Sequence, residues 1–178
     1  MYRFSLEVSP EIRLHLLQIQ DAPALFNLID SNREHLRRWL PWVDGNKTQK
    51  SSEEFIQLLL GQFSRNETIT AGIYYKQELC GIAGFHKINH ANKVGSMGYW
   101  LGQGFEGKGI MSQSVAFLTE LAFETWTLNR LEIRCATDNL KSQAIPERLG
   151  FTCDGISRQC EIVNGRVLDH KVYAKLRG

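Results

Sequence analysis

The chain has 178 residues, of which 43% are hydrophobic and 22% are charged, and its formal net charge at pH 7 is +2. This length suits one domain spanning residues 1–178 with a sizeable buried core. The charge is too small to predict nucleic-acid binding, and no apolar run is long enough to cross a membrane. Residues 1–5 lack the apolar core of a secretory signal, so we expect a cytoplasmic protein.

The first part of the chain is predicted to hold one strand followed by three helices. Alternating apolar and polar residues over 12–18 predict the strand. Asp21 is the predicted cap of the first helix, and residues 32–40 form a short second helix that ends before Pro41. Ser51 and Glu54 have the spacing of a capping box, which predicts the start of the third helix.

The rest of the chain is predicted to alternate strands with two helices. Strands are expected over 68–76, 79–89, 94–101, 131–137, 151–163 and 167–176, and helices over 110–126 and 142–149. Asn164 and Gly165 form a strong hairpin turn between the last two strands. This order predicts an α+β fold, with a mixed sheet that contains one parallel β-α-β crossover and is flanked by helices.

Four glycines lie within residues 102–109, between the strand and the helix of that crossover. Glycine adopts positive φ freely and leaves its N–H group open to a ligand, and a helix N-terminus favours anions. We therefore predict a phosphate-binding loop. A loop without a ligand is the plainer alternative, because such motifs are weak when they occur alone.

Three phosphate-loop patterns overlap on these residues. A nucleoside-triphosphate loop requires Ser or Thr where Gly109 stands, because that side chain holds magnesium. A dinucleotide-binding fold requires further strand–helix units, whereas the chain after Phe151 is predicted to form strands alone. The third pattern is the acyl-coenzyme A loop, which centres on Gly107 and Gly109. The context favours this third pattern and the pyrophosphate of an acyl-coenzyme A.

The cysteines and histidines predict no metal site. The four cysteines form no CxxC pair and lie mostly in strand-like runs, so we expect buried, reduced thiols; they are Cys80, Cys135, Cys153 and Cys160. His15, His35, His86 and His90 lack a metal-ligand spacing with one another.

Five motifs in order resemble those of the GNAT acyltransferases, in particular the Rim-type branch that acetylates the N-terminal amines of ribosomal proteins. They lie at 97–101, 106–111, 139–151, 159–165 and 169–173, and the aromatic segment 39–42 also suits this branch. The resemblance covers nearly the whole chain. It implies a GNAT fold, in which a mostly antiparallel sheet splays apart at the crossover and acetyl-CoA lies in the opening.

The resemblance also implies which residues bind acetyl-CoA. The main chain of Tyr99, Trp100 and Leu101 would pair with the pantetheine amides. Asn139 would hydrogen-bond the pantetheine, and Ser142 would lie near the sulfur. Backbone N–H groups would bind the pyrophosphate along a loop made of Gly104, Phe105, Glu106, Gly107, Lys108, Gly109, Ile110 and Met111.

For the acetyl transfer we expect Glu161 to act as the general base and Ser142 as the acid that protonates the departing thiolate. Glu161 matches a glutamate of the Rim-type pattern, whereas Met97 stands where many relatives carry a glutamate. At pH 7, deprotonation costs about 1 kcal/mol for an α-amino group with a pKa of about 7.7–8.0, and about 4.6 kcal/mol for a lysine. An N-terminal amine therefore asks less of the base.

Plainer roles stay open for these residues. The alternatives are that Ser142 caps the short helix, that Asn139 is a turn residue and that Glu161 is an exposed strand residue. Asp169 and His170 are adjacent in a strand, so their side chains point to opposite faces and we do not expect them to share a site.

The expected acceptor is a protein N-terminus, of the ribosomal type, or a small-molecule amine. No nucleic-acid or membrane partner is expected. A homodimer through the outer strands or the early helices is compatible with the sequence. Two competing hypotheses are a non-catalytic acyl-CoA-binding module, suggested by Met97, and a nucleotide-binding protein.

Overall fold

The computed structural model describes residues 5–178. The prediction that residues 1–5 lack the apolar core of a secretory signal therefore lies largely outside the described residues. The strands of the structure are β1 (Ser5–Ser9), β2 (Ile12–His15), β3 (Thr70–Tyr75), β4 (Glu78–Asn89), β5 (Val94–Leu101), β6 (Arg130–Ala136), β7 (Thr152–Val163) and β8 (Arg166–Leu176). Its α-helices are α1 (Ala22–Ser31), α2 (Arg33–Leu36), α3 (Gln49–Ser64), α4 (Ile110–Glu124) and α5 (Leu140–Arg148). Across residues 5–178, none of the helices has both the length and the apolar character of a membrane span.

The strands form one sheet in the order β1-β2-β3-β4-β5-β6-β8-β7. All neighbouring strands are antiparallel except β5 and β6, which run parallel and are joined through α4. The predicted mixed sheet with one parallel crossover is therefore confirmed, as is the α+β class. The turn at Asn164 and Gly165 is also confirmed, since both residues have the positive φ of a tight hairpin.

The pairing between β5 and β6 is short. It runs from Val94 opposite Arg130 to Met97 opposite Ile133, although β5 continues to Leu101 and β6 to Ala136. The sheet therefore divides into two halves beyond this point, as the family resemblance implied.

A β-bulge in β4 lies beside the point of division. Phe85 pairs with Met97 and Lys87 with Ser96, which leaves His86 as the extra residue. The imidazole of His86 covers Gly98, where an added Cβ would lie 1.7 Å from the His86 Nε2 atom. Because bulges bend a strand and increase its twist, this one accounts for the separation of β5 from β6 after Met97.

Helices cover both faces of the sheet. Ile82 and Ala83 are neighbours in β4, so they face opposite sides, and they belong to different apolar clusters. The Ala83 cluster contains Leu118 and the rest of the buried face of α4, whereas the Ile82 cluster contains Leu25 of α1 and Ile56 of α3. The sheet is thus clamped between α4 and the early helices.

The predictions for the first part of the chain need correction. The strand expected over 12–18 is present as β2 but ends at His15, since Leu16 and Leu17 are both buried and break the alternation. The strand β1, which pairs with it as a hairpin, was not predicted. The second helix is shorter than 32–40 and ends at Leu36. The capping box is wrong as well, since Thr48 caps α3 by accepting a 3.3 Å hydrogen bond from the Ser51 N–H group.

The cysteine prediction is confirmed in part. All four cysteines are free, and Cys80 and Cys135 are buried. Cys153 and Cys160 are exposed, because they lie on the edge strand β7, whose side chains are exposed along most of its length.

We predict that Leu118→Ala lowers the free energy of unfolding by about 2–5 kcal/mol, because it leaves a cavity beneath the sheet. Leu118 is 1% exposed in α4, whereas the helical Leu58 is 56% exposed and serves as the matched control. Leu58→Ala should change the unfolding free energy by no more than about 0.5 kcal/mol. Denaturant unfolding measures both values, and equal losses would contradict the assignment of the core.

Candidate active site

A cleft of about 1620 Å³ occupies the gap where the sheet divides. Its walls include the ends of β5 and β6 and the first turns of α4 and α5. Trp39 and Trp42, which follow α2, line it as well. On one side, β5 pairs with β4 along its whole length as far as Leu101. On the other side its pairing with β6 ends at Met97, so the backbone groups that residues 98–101 direct toward β6 have no strand partner. Such groups require hydrogen bonds, which an extended ligand could supply.

The predicted glycine loop leads from β5 into α4 beside this cleft. Gly107 has φ +75° and Gly109 has φ +74°, and Gly109 is the residue that precedes the first turn of α4. No side chain caps this helix. Backbone N–H groups in such a left-handed turn and at a helix N-terminus converge on an anion. The loop therefore has the geometry of a phosphate site.

Glu106 links the loop to both sides of the cleft through its side chain. Its Oε1 atom lies 3.1 Å from His35 Nε2 in α2, and its Oε2 atom accepts a 2.6 Å hydrogen bond from Lys141 Nζ in α5. The Glu106 carboxylate is thus engaged by the protein itself. Only its main chain is left for a ligand.

Most of the predicted cofactor-binding residues line the cleft. They are Tyr99, Trp100, Leu101, Phe105, Glu106, Gly107, Gly109, Ile110, Met111, Asn139 and Ser142. Gly104 and Lys108 are not part of the lining. The Lys108 ammonium instead lies over the rings of Tyr75 and Phe105, 5.7 and 5.3 Å from their centroids.

Ser142 lies in the cleft at the start of α5, and it is not the helix cap. Asn139 is the cap, because its Oδ1 atom accepts a 3.2 Å hydrogen bond from the Ser142 N–H group. The Ser142 hydroxyl lies 3.2 Å from the Cys135 thiol, and the Tyr99 hydroxyl donates a 2.9 Å hydrogen bond to the Ser142 carbonyl. Burial raises the pKa of Cys135 and holds the pKa of Tyr99 well above its ordinary value. Three protonated groups therefore meet at this point.

Glu161 also lines the cleft, on the side formed by β7 and β8. Its Oε2 atom lies 3.3 Å from the Nε2 atom of His170, and their side chains are 34% and 14% exposed. The expectation that Asp169 and His170 do not share a site is confirmed, since Asp169 instead accepts a 2.8 Å hydrogen bond from the Gln159 N–H group. The sequence reasoning missed the pair of Glu161 and His170, although the Asn164–Gly165 turn is a local signal that places Glu161 opposite Leu168, two residues from His170.

His86 faces the cleft from β4. Burial lowers the pKa of His86, and the charge of Glu161 raises it in part. Met97 is 4% exposed and places no carboxylate at the position where the sequence analysis noted a glutamate in many relatives. Glu161 is therefore the better-placed candidate for a base.

Aromatic rings form the wall near Trp42. The Trp42 ring lies 5.9 Å from Trp100 and 6.5 Å from Phe55, measured between centroids, and Trp42 is 39% exposed. This wall could pack against the apolar part of an acceptor. In the part of the chain from residue 5 onward, no group of three or more His, Cys, Asp or Glu side chains could hold a metal ion.

Comparisons with known proteins agree with this geometry. The sequence matches the family described as an acetyltransferase (GNAT) domain over residues 11–152. The protein YdaF of Bacillus subtilis (strain 168) is 35% identical over 175 residues, which covers 98% of this chain and 96% of YdaF.

Two solved structures are similar over nearly their whole length. The microcin C7 self-immunity acetyltransferase MccE, in complex with acetyl-CoA and AMP, has a TM-score of 0.92 at 31% identity, covering 96% of this chain and 95% of that one. RimL, the ribosomal L7/L12 α-N-protein acetyltransferase, was solved with coenzyme A in a disulfide to a cysteine. Its TM-score is 0.93 at 30% identity, covering 97% of each chain.

We predict that Gly107→Ala weakens acetyl-CoA binding about 5- to 30-fold, because alanine pays about 1–2 kcal/mol for left-handed backbone. Gly104→Ala is the matched control, since an added Cβ meets no atom within 4 Å at either position and only Gly107 has positive φ. The control should bind like the unmodified protein. Isothermal titration calorimetry measures both, and equal affinities would contradict the proposed loop conformation.

Proposed function

Because the chain belongs to the acetyltransferase (GNAT) domain family, we propose that it acetylates the α-amino group of a protein N-terminus, with a ribosomal protein as the first candidate. The chain is an acetyl-CoA-dependent N-acetyltransferase, and the competing hypothesis of a non-catalytic acyl-CoA-binding module is set aside. The acceptor proposal rests on one observation above all: the half-buried Glu161 carboxylate lies in a cleft that is open to an acceptor.

The residues of the divided sheet fit acetyl-CoA. The unpaired edge at Tyr99, Trp100 and Leu101 would bond to the amides of the pantetheine arm, as a neighbouring strand would. The N–H groups between Gly107 and Met111 would hold the pyrophosphate at the start of α4. When bound, acetyl-CoA supplies the activated acetyl group.

Glu161 would accept the proton of the acceptor amine, directly or through a water molecule. Since deprotonation at pH 7 costs about 1 kcal/mol for an α-amine against about 4.6 kcal/mol for a lysine, one carboxylate suffices for an N-terminal acceptor. This difference supports an α-amine over a lysine side chain.

Ser142 would hold a proton at its Oγ atom for the departing thiolate. Its hydroxyl lies 3.2 Å from the Cys135 thiol, in a pocket where Cys135 and Tyr99 also keep their protons. These neighbours offer the hydroxyl no competing base. Ser142 therefore keeps its own proton, as the proposed role of donor requires.

A small-molecule amine is the second candidate acceptor. The exposed Trp42 ring in the cleft favours an acceptor that carries an aromatic group, and the similar MccE structure contains AMP beside acetyl-CoA. Such an acceptor would use the same base.

The cellular location and the homodimer expected from the sequence fit this proposed function. A protein that modifies ribosomal proteins would work in the cytoplasm. Ile156 and Ile162 on the edge strand β7 are 56% and 65% exposed, which supports association of two copies through the outer strands. The homodimer stays a prediction.

We predict that a peptide with a free N-terminus and no lysine is acetylated, whereas the same peptide with a formylated N-terminus and an added lysine is not. The reason is the lower pKa of the α-amine. Release of free thiol from acetyl-CoA measures turnover, and mass spectrometry locates the acetyl group. Acetylation of the lysine peptide alone would refute the acceptor proposal. Turnover with small aromatic amines alone would favour the second candidate.

We predict that Glu161→Gln lowers kcat about 10²- to 10⁴-fold, because it removes the general base, and leaves the Kd for acetyl-CoA within about twofold. Ser142→Ala should lower kcat with the same unchanged affinity. Glu54→Gln, an exposed change on α3, is the control and should leave kcat as it is. Steady-state kinetics and calorimetry provide the values. Full activity of Glu161→Gln would remove Glu161 from the reaction.

A further inference from the structure

We propose that His170 is a positioning residue for the acetyl transfer, which holds the Glu161 carboxylate in the orientation that accepts the amine proton. This inference rests on the proposed role of Glu161 as the base and extends it to a second side chain.

The two residues differ in how firmly the fold holds them. His170 lies on β8, between Ala136 of β6 and Ser157 of β7, and its side chain is 14% exposed. Glu161 lies on β7, the edge strand, and its side chain is 34% exposed. The strands on both sides therefore restrain His170, whereas the edge strand alone leaves the Glu161 side chain less restrained.

The register between β7 and β8 places Glu161 beside this histidine. The turn at Asn164 and Gly165 starts a regular pairing that puts Glu161 opposite Leu168. Beyond Glu161, Ser157 pairs with His170, so a β-bulge gives β7 two more residues than β8 over this interval. Without the bulge, Gln159 would lie opposite His170, where the smaller Ser157 now lies. Because residues two apart in a strand share a face, Leu168 and His170 face the same side as Glu161.

The side chain of Asp169 holds the bulge in place. Its Oδ1 atom accepts a 2.8 Å hydrogen bond from the Gln159 N–H group, and Gln159 has φ +50°. Asp169 and His170 are adjacent in β8, so their side chains lie on opposite faces of the sheet. Asp169 fixes the backbone of β7, and His170 engages the carboxylate that this backbone presents.

The contact between the two side chains has the distance of an ion pair. The Nε2 atom of His170 lies 3.3 Å from Glu161 Oε2, which leaves Oε1 for the acceptor amine. A glutamate side chain that is ordered before the substrate binds loses less rotamer freedom in the reaction. A pair that served only as a surface ion pair would contribute little.

The test is a double-mutant cycle on the full chain, with His170→Ala, Glu161→Gln and the double variant. We expect His170→Ala to lower kcat about 10- to 100-fold and to leave both KM values within about twofold. In the Glu161→Gln background, the same change should have almost no further effect. Equal losses in both backgrounds, or unchanged kcat in His170→Ala, would overturn the proposal.

His170→Gln is the rescue variant, because its amide N–H group can donate to Glu161 in place of Nε2. It should retain kcat within about threefold of the unmodified enzyme, which a change that merely damages the fold would not do. His90→Ala is the matched control, an exposed histidine outside the cleft lining. A loss of activity in His170→Gln as large as in His170→Ala would overturn the proposal.

A second pair of variants covers the case in which His170→Ala fails to fold. Asp169→Ala should release the bulge and lower kcat only where Glu161 is present, whereas Asp169→Asn keeps an oxygen acceptor and should stay active. The kinetics use the lysine-free peptide with a free N-terminus and, separately, a small aromatic amine. If no peptide is acetylated, only the proposal of an N-terminal acceptor is refuted. Full activity of Glu161→Gln would refute both the base and its positioning residue.

Discussion

The short parallel pairing of β5 and β6 is the constraint on which the rest of the structure depends. The two strands stay together as far as Met97 and Ile133 and then separate, beside the bulge at His86 that bends β4 against Gly98. A sheet that divides in this way has unpaired backbone groups on β5 facing the gap. It also places the N-termini of α4 and α5 at its mouth. The cleft is thus a direct consequence of strand pairing that ends early, and part of its polar wall is the β5 backbone that has no strand partner there.

The sequence contained most of this architecture, because the signals that define it are local. The glycines of residues 102–109, the apolar face of α4 and the Asn164–Gly165 turn each lie within one short segment, and together they determined the crossover and the last hairpin. The Thr48 cap and the β1 strand were missed since their competing signals were equally short. The pairing of Ser157 with His170 was out of reach for a different reason. It depends on a two-residue offset between strands, and no pattern in either strand alone records an offset.

The site combines elements of different rigidity. Ser142 is held by the Asn139 cap and the Tyr99 hydroxyl, close to the centre of the molecule. Glu161 lies on an exposed edge strand, where neighbours on one side alone restrain it. Glu106 joins the glycine loop to α2 and α5, so the loop is fixed to the helices on either side of the cleft. The side of the cleft that carries the glycine loop is accordingly tied to the rest of the fold by more side-chain contacts than Glu161 is on the edge strand.

The register shifts in β7 also affect the outer edge of the sheet. A long, regular outer strand offers a row of free N–H and C=O groups on which strands of other molecules can assemble into fibrous aggregates. β7 has twelve residues at the margin of the sheet, but shifts between Cys153 and Gly155 and between Ser157 and Glu161 break that row into three short stretches. Such an interrupted edge is a poorer template for the strand of another molecule.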